Sequence, residues 1–491
     1  MSEPHKPLRV AFIHPDLGIG AAPCGAERLV VDAALGLQKL GHKVDIYTSH
    51  HDAGHCFEET KDGTLNVRHI VPPLPRSILG KFHILFAHAR QLHLTRYILA
   101  HDPSQYDVFF VDQLSTCVPL LRNFGHARVV FYCHFPDKLL ANGAFVEGRL
   151  VNNAGILKRL YRLPMDWLEE VTTRQADVIL ANSRFTARVF KSYFPSIKQT
   201  PHIVYPGINI SAYEAKVDAS SLDIVSINSP RPTFLSLNRF EGKKNVALAL
   251  EAFALLKPKL SSKFNHLRLV LAGGYDPRLA DNVQTLRNLV NKAKKLDLSY
   301  DILSPSPLPP QVVPLATKLP DPQVVFILNF TTAQRTALLV SPSTLALLYT
   351  PANEHFGIVP VEAMACGLPV LACDSGGPTE SILDPQAGSG TTTMSSEEDR
   401  TGWLREPRAE VWVDVMLEIV NLTATRRGEV GDKAKVRARE LFGMDAMAGG
   451  IERALREAVE MGSVQGNEWI GTVLIMLFGF LLAYFLSPLL L

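Results

Sequence analysis

The sequence predicts an α/β protein with two Rossmann-like, doubly wound domains in series and a membrane-anchoring helix at its C-terminal end. Short apolar runs rich in β-branched residues alternate with helical stretches, a pattern typical of parallel sheets covered by helices. The 491 residues exceed what one hydrophobic core usually holds. The final residues form a long apolar run without charge. These three observations together indicate two cores followed by an anchor.

The candidate strands fall into two series separated by a polar, turn-rich stretch, "AKVDASSLDIVSINSPRP". We therefore predict an N-terminal domain over residues 1–215, a linker over 216–232 and a C-terminal domain over 233–460. The proline-rich segment 304–322 is expected to be a surface insertion, because proline interrupts helices and strands. The first series comprises "RVAFIHP", "KVDIYT", "NVRHIV", "DVFFVD", "RVVFYCH", "DVILAN" and "HIVYPG", and the second comprises "TFLSLNRF", "RLVLAGG", "VVFILNF", "STLALLYTP" and "LPVLACD".

The C-terminal residues 467–491 contain "WIGTVLIMLFGFLLAYFL", which carries no charge and as a helix would span roughly 27 Å, close to the thickness of a bilayer core. The run shows no polar positions at helical spacing, which favours a transmembrane or membrane-anchoring helix over a buried core helix. The N-terminus has no apolar segment of the kind found in secretory signals. We expect the preceding domains to lie in the cytosol.

Composition excludes several other classes of protein. Charged residues make up 20% of the chain with a net charge of +2, which excludes a disordered chain and an electrostatic nucleic-acid binder. The six cysteines form no CxxC pair and show no ligand spacing with histidine. We therefore expect neither a structural zinc site nor a disulfide framework.

Glycines follow the first predicted strand in "HPDLGIGAAPCGAER", where Gly18 and Gly20 precede a helix. Glycine allows close approach of the backbone to a ligand, and a helix N-terminus suits phosphate. A dinucleotide fingerprint would need glycine or alanine where Pro23 stands and an acidic residue after the second strand. Three interpretations of this loop remain open. It binds phosphate, its glycines serve only to form a turn, or it is a degenerate dinucleotide site.

Polar residues also follow the fifth strand and the first strand of the second series. "FYCHFPDK" places His134 at a strand end, as a proton acceptor, a hydrogen-bond partner or a structural histidine. "LNRFEGKKN" carries Arg239, Lys243 and Lys244, which form a solvated face, unless the pair Arg239 and Lys244 clamps a diphosphate.

The stretch "NEHFGIVPVE" follows a strand, so Glu354 lies at a strand end, and Gly357 and Ile358 begin a helix that carries Glu362. Helical rise separates the two carboxylates by roughly 10 Å. This distance is too large for the pair of a glycoside hydrolase. It suits two carboxylates that accept hydrogen bonds from the sugars at the two ends of a nucleotide diphospho-sugar.

Together, the spaced glutamates, the basic loop, the glycine loop and "CHFP" resemble the retaining GT-B glycosyltransferases of family 4 over residues 8–460. More narrowly, the chain is similar to the eukaryotic alpha-1,3/1,6-mannosyltransferases of lipid-linked oligosaccharide assembly. The stretches that carry this narrower likeness are "HPDLGIG", "GAERLVVDAALGLQ", "HHDAGHCFEE", "CHFPDKLL", "NSRFTA", "VYPGI" and "TPANEHFGIVPVEAMACGLPVLACDSGGPTES".

The resemblance implies an enzyme of N-glycosylation on the cytosolic face of the endoplasmic reticulum membrane. It would add an alpha-1,3 and then an alpha-1,6 mannose from GDP-mannose to a dolichyl-diphosphate chitobiose that bears one mannose. The resemblance implies an acceptor domain before a GDP-mannose-binding domain, no metal or other cofactor, no nucleic-acid partner, and other early mannosyltransferases as candidate partners. Another retaining GT-B enzyme, with a different nucleotide sugar or acceptor, remains the alternative.

The resemblance also implies roles for individual residues. The catalytic set would be Glu354, His134, Lys244 and Arg239, with His134 beside the reacting centre. The donor would contact Gly18, Gly20, Arg239, Lys244, Glu354, Phe356, Gly357, Ile358 and Glu362, and the acceptor would contact Asp137 and Lys138. One departure from the family pattern is "AAPC" (21–24), which leaves open which glycine of the loop meets phosphate.

Two N-terminal segments are candidates for contact with the membrane surface. Residues 77–101 mix apolar residues at helical spacing with lysine, arginine and histidine, which is typical either of an interfacial helix or of a core helix with a basic outer face. Residues 157–170 are a second candidate.

Overall fold

The computed structural model describes residues 6–17, 25–54, 56–78, 82–101, 105–140, 145–146, 149–150, 156–214, 218, 220–305, 321–387 and 397–464. Gly18 and Gly20, most of the segment 304–322, and all of the predicted anchor over 467–491 lie outside these ranges. Among the described helices, none combines the length and the apolar character needed to cross a membrane.

Strands and helices alternate through most of the described chain. The strands are β1 (Arg9–His14), β2 (Lys43–Thr48), β3 (Asn66–His69), β4 (Val108–Asp112), β5 (Arg128–Cys133), β6 (Phe145–Val146), β7 (Arg149–Leu150), β8 (Val178–Ala181), β9 (His202–Ile203), β10 (Thr233–Leu237), β11 (Arg268–Gly273), β12 (Tyr300–Leu303), β13 (Val324–Leu328), β14 (Thr344–Tyr349), β15 (Val370–Cys373) and β16 (Gly402–Arg405). The helices are α1 (Gly25–Lys39), α2 (His83–His101), α3 (Val118–Phe124), α4 (Asp137–Leu140), α5 (Ile156–Thr173), α6 (Arg184–Tyr193), α7 (Leu222–Val225), α8 (Ala247–Leu260), α9 (Ala280–Lys295), α10 (Thr332–Val340), α11 (Ile358–Ala365), α12 (Pro378–Ser381), α13 (Ala409–Asn421), α14 (Ala424–Phe442) and α15 (Met444–Glu460).

The chain forms two compact units, and the first comprises residues 1–207 together with 444–491. Its described strands build a parallel sheet in the order β3-β2-β1-β4-β5-β8-β9. The central strands β4 and β8 are buried at every residue, as expected for apolar strands covered by helices on both faces. The edge strand β3 is partly exposed along its length.

The last helix, α15, belongs to this first unit, whereas the sequence analysis placed residues up to 460 in the C-terminal domain. Its apolar stripe, which includes Met447, Ile451 and Leu455, is buried in the same core as strand β1 and helix α1. Helices α1 and α15 approach so closely that a Cβ on Gly36 would lie 2.6 Å from Cβ of Ala448. Helical spacing predicts such a stripe, but it does not say which domain the stripe covers.

The second unit comprises residues 208–443. Its described strands form a parallel sheet in the order β12-β13-β11-β10-β14-β15-β16. Large aromatic side chains fill its core, among them Phe253, Trp403 and Trp412. The prediction of two Rossmann-like parallel-sheet domains is confirmed. In each sheet the carboxyl ends of the strands lie along one edge, which is where α/β proteins bind ligands.

The two segments predicted as membrane-contact candidates are both helical over most of their length. Helix α2 buries Leu94 and Ile98 in the core of the first unit and therefore acts at least in part as a core helix. Helix α5 buries Met165 and Leu168 but leaves Leu163 and Trp167 exposed, at 62% and 41%. Two large apolar side chains of α5 are therefore open to solvent.

Candidate active site

In the second unit, Glu354 and Lys244 form a partly buried ion pair. Nζ of Lys244 lies 2.6 Å from Oε2 of Glu354, and the two side chains are 14% and 20% exposed. Lys244 ends a 3₁₀ helix (Gly242–Lys244) that follows β10, and Glu354 follows the neighbouring strand β14. The structure therefore brings together two charges that lie 110 residues apart in the chain.

Hydrogen bonds hold both members of this pair in place. The Tyr349 hydroxyl, at the end of β14, donates to Oε2 of Glu354 at 3.2 Å, and Oγ1 of Thr350 donates to the carbonyl of Lys244 at 2.7 Å. Burial opposes ionisation of Glu354, but the Lys244 ammonium, with Tyr349, lowers its pKa from 4.5 to about 2. Glu354 is thus an anion whose remaining oxygen can accept a hydrogen bond from a ligand hydroxyl.

The residues that follow Glu354 form the beginning of a helix. Phe356 is buried, Gly357 adopts φ +84°, and Ile358 is the first residue of α11. A Cβ at Gly357 would have to adopt this left-handed backbone 3.2 Å from Cε1 of Tyr349, so glycine fits here better than any other residue. The turn leaves the first amides of α11 without partners inside the helix, and such amides suit an anionic or polar ligand.

Glu362, further along α11, is bound on one side by two residues that the sequence analysis did not identify. Oε1 of Glu362 accepts hydrogen bonds from the Tyr213 hydroxyl at 2.6 Å and from the Arg335 guanidinium at 2.9 Å. The carboxylate is 9% exposed and is therefore held in one orientation. Tyr213 and Arg335 carry no local motif, because each comes from a distant part of the chain.

Arg239 lies in the same loop as Lys244 but contacts a different carboxylate. Its guanidinium lies 2.9 Å from Oε1 of Glu241, whose other oxygen lies 3.2 Å from Nζ of Lys243. Arg239 is 44% exposed, so its side chain can exchange this partner for an anionic ligand. In this structure Lys244 therefore forms an ion pair with Glu354, whereas Arg239 forms an ion pair with Glu241.

The backbone around Glu354 is supported by "DSGG", which follows β15. The Ser375 hydroxyl accepts the amide of Asn353 at 2.9 Å, and the Gly377 amide donates to the carbonyl of Glu354 at 2.8 Å. A Cβ on Gly377 would lie 2.2 Å from the carbonyl oxygen of Phe356. Glycine is therefore required so that the two loops can approach.

We expect Gly377→Ala to lower the rate of the reaction at this site by about 100-fold, because the added methyl group displaces the backbone between Glu354 and Phe356. The free energy of unfolding should fall by about 1–3 kcal/mol from overpacking. Initial rates and thermal melting check both effects. Gly428→Ala is the matched control, since that glycine is exposed on α14 with open space around it. A Gly377→Ala protein with normal turnover would contradict the prediction.

In the first unit, His134 lies beside Asp112, which also binds His14. Nδ1 of His14 is hydrogen-bonded to Oδ2 of Asp112 at 2.7 Å. Nε2 of His134 lies 2.7 Å from Oδ1 of Asp112, a close contact whose angles lie outside those of a hydrogen bond. His14 ends β1, Asp112 ends β4 and His134 follows β5, so three adjacent strands supply the cluster.

Asp137 and Lys138 are engaged in interactions within the first unit. Their amides donate to the two oxygens of Glu169 at 2.6 and 3.0 Å. Burial raises the pKa of Glu169 to about 8, although these backbone hydrogen bonds act to lower it. The Asp137 carboxylate lies 3.2 Å from Arg162, and Nζ of Lys138 lies 4.1 Å from the ring centroid of Phe194. The predicted acceptor role of Asp137 and Lys138 stays a prediction.

No cluster of metal-ligating side chains that could hold a metal ion occurs among the described residues.

Comparison with known proteins places this arrangement in a class. Residues 23–212 match the model of Glycosyltransferase Family 4, and residues 220–426 match that of Glycosyl transferases group 1. A solved sucrose-phosphate synthase from Thermosynechococcus elongatus superposes with a TM-score of 0.67 at 17% identity, covering 93% of this chain and 100% of that one. HepE from Anabaena, in complex with UDP and glucose, superposes with a TM-score of 0.60 at 16% identity, covering 91% and 99%.

The fold and the family models define the protein as a glycosyltransferase of the GT-B fold. Its sequence is 44% identical to the alpha-1,3/1,6-mannosyltransferase ALG2 of Rhizomucor pusillus, over 92% of each chain. It is 40% identical to ALG2 of Saccharomyces cerevisiae, over 92% of this chain and 85% of that one. The chain belongs to the family of alpha-1,3/1,6-mannosyltransferases ALG2. The resemblance inferred from the motifs is confirmed.

Proposed function

We propose that the protein transfers mannose from GDP-mannose to a dolichyl-diphosphate chitobiose that bears one mannose, adding an alpha-1,3 and then an alpha-1,6 residue. The observation that carries the chemistry is the partly buried pair of Lys244 and Glu354 beside the N-terminus of α11. A cation and the first amides of a helix at one strand edge suit a diphosphate, and a fixed carboxylate beside them suits a sugar hydroxyl. The names of the relatives support mannose as the sugar.

Each donor group has a proposed partner in the second unit. Lys244 and Arg239 bind the diphosphate, and Arg239 leaves Glu241 to do so. Glu354 and the amides after Phe356 bind the mannose. Glu362, held by Tyr213 and Arg335, accepts hydrogen bonds from the ribose. The predicted contact of Gly18 and Gly20 with the diphosphate concerns residues outside the described ranges and stays a prediction.

The proposed reaction retains the configuration at the sugar. Departure of GDP develops negative charge on its distal phosphate, and Lys244 with the helix amides stabilises that charge in place of a metal. Glu354 is already paired with Lys244, which disfavours it as a nucleophile. We therefore propose attack on the same face, with the leaving phosphate taking the proton of the acceptor hydroxyl and His134 beside the reacting centre.

The acceptor is a polyprenyl lipid, so the enzyme has to reach a membrane. We propose that residues 467–491 anchor the chain in the endoplasmic reticulum membrane, with both domains on the cytosolic face. The uncharged run in that segment supports the anchor. Exposed Leu163 and Trp167 on α5 support an additional interfacial contact. Other early mannosyltransferases of the same assembly are the proposed protein partners.

The test is transfer with purified full-length enzyme in liposomes, with GDP-mannose, the one-mannose lipid acceptor and no added metal. Product mass should rise by one hexose and then by a second. GDP-glucose and UDP-glucose, each with the same acceptor, serve as control donors. Transfer from either control donor but not from GDP-mannose would overturn the donor assignment, and complete inhibition by a chelator would overturn metal independence.

A further inference from the structure

The cluster of His14, Asp112 and His134 in the first unit lies at the edge where ligands bind, and it is more deeply buried than a surface network. The side chains of His14 and Asp112 are each 1% exposed, whereas that of His134 is 21% exposed. Only one member of the cluster therefore has appreciable access to a ligand. The other two can act on a substrate only through it.

The charges of the cluster support one arrangement of protons. Burial opposes ionisation of Asp112, but the two imidazoles lower its pKa to about 2. Burial also disfavours a charged His14, yet its hydrogen bond to Asp112 raises the pKa of His14 above its ordinary value. Asp112 is thus a carboxylate that can only accept hydrogen bonds. The nitrogens that face it, Nδ1 of His14 and Nε2 of His134, must then carry hydrogen.

His134 is held by more than Asp112. The Asn182 side-chain amide donates to the His134 carbonyl at 2.9 Å, and the rings of His134 and Tyr132 meet edge to face with centroids 5.0 Å apart. Asn182 begins the "NSRFTA" motif after β8. The backbone and the ring of His134 are therefore both fixed in place.

The cluster is not satisfied by the described part of the chain alone. Nε2 of His14 is buried without a hydrogen-bond partner among the described residues, and Oδ1 of Asp112 and Nε2 of His134 touch each other without forming a hydrogen bond. Buried polar groups nearly always have partners, and exceptions concentrate at functional sites. A purely structural network would be expected to satisfy its own members.

We propose that Asp112 is a positioning residue for the transfer reaction. The Asp112 carboxylate, 2.7 Å from Nε2 of His134, favours the tautomer with hydrogen on Nε2, so that Nδ1 is the nitrogen presented to the sugar. The hydrogen bond from Nδ1 of His14 holds the carboxylate in place. This inference rests on the proposed function and deepens it, because it names the tautomer with which His134 meets the substrate. Asp112 itself touches no substrate.

The test is Asp112→Asn in the full-length enzyme. The asparagine amide can donate a hydrogen bond, which favours the opposite tautomer of His134, and we expect kcat to fall by about 100-fold while KM for GDP-mannose stays unchanged. In the background of His134→Ala, which itself should cost about 10²–10³-fold, Asp112→Asn should have almost no further effect. An equal loss from Asp112→Asn in both backgrounds would overturn the proposal.

Asp177→Asn is the matched control. Asp177 is likewise a buried aspartate of the same sheet with two cationic partners, Arg122 and Arg128, at 3.0 and 2.6 Å, but it precedes β8 and so lies at the amino ends of the strands. Both variants should lower the melting temperature. Only Asp112→Asn should lower kcat, and an equal loss of kcat in Asp177→Asn would show that destabilisation alone explains the effect.

A second measurement does not depend on the substrate. In the full-length protein labelled with ¹⁵N-histidine, the ring signals of His134, assigned by their loss in His134→Ala, should show hydrogen on Nε2, and Asp112→Asn should move it to Nδ1. Hydrogen on Nδ1 alone in the His134 ring of the wild-type protein would refute the proposal, even if the enzyme used a nucleotide sugar other than GDP-mannose. If the wild-type tautomer is as expected but GDP-mannose is not used, the proposed function fails and the positioning role stands.

Discussion

Lys244→Ala should lower kcat/KM for mannosyl transfer by about 10³-fold, because the enzyme loses the cation that we propose stabilises the developing phosphate charge. It should also lower the free energy of unfolding by about 1–3 kcal/mol, since Glu354 is left buried with the Tyr349 hydroxyl in place of a full countercharge. Steady-state rates and chemical denaturation measure the two effects separately.

Lys243→Ala is the control for this variant, since Lys243 is the adjacent residue, is 69% exposed and pairs with Glu241. It should leave both the rate and the stability unchanged. Combining Lys244→Ala with Glu354→Gln should recover much of the lost stability without recovering activity, because no unpaired charge remains. Normal turnover in a folded Lys244→Ala protein would remove the phosphate role of this lysine.

Glu354→Gln should lower kcat by about 10²–10³-fold, because an amide accepts the hydrogen bond of a sugar hydroxyl more weakly than a carboxylate and no longer orients Lys244. The two side chains have nearly the same shape, so the fold should persist. Glu251→Gln is the control, since Glu251 forms an exposed ion pair with Lys292 on the same domain. A Glu354→Gln enzyme with more than a tenth of the wild-type kcat would contradict the assignment.

The same substitution should change how stability depends on pH. Glu354 has its pKa lowered from 4.5 to about 2 in the folded protein. A carboxylate with a depressed pKa stabilises the fold above pH 4.5, and this stabilisation disappears as pH falls toward 2. Wild type should therefore lose more stability between pH 5 and pH 3 than Glu354→Gln does. Parallel unfolding curves for the two proteins over this range would show that the ion pair contributes nothing to stability.

The fold was predictable because its signals are local. Apolar runs such as "VFFV" and "VILA" predict strands buried on both faces, and the strands that contain them are buried at every residue. The assignment of α15 to the first domain was not predictable in this way. The apolar stripe of α15 could pack against either domain. Only the shape of the surface that α1 leaves exposed without α15 decides which domain it covers.

Site residues that follow a strand were predictable from the sequence. Residues whose role depends on a contact with a distant side chain were not. Glu354 and Lys244 were identified from their positions after strands, and the structure joins them. Asp112 was read only as part of an apolar strand, because its two histidine partners come from other strands. Tyr213 stands in a segment with no motif, and its contact with Glu362 spans 149 residues.

The return of α15 to the first domain has a consequence for synthesis of the protein. The first 207 residues leave the ribosome long before Met444–Glu460, which must cover the apolar side of α1. At ordinary rates of translation, the intervening residues take between about 10 and 50 seconds to make. During that interval the nascent first domain exposes the apolar side of α1 that α15 will later cover, which makes it a client for cotranslational chaperones. A premature stop anywhere before residue 444 removes α15 and is therefore damaging to both halves of the enzyme.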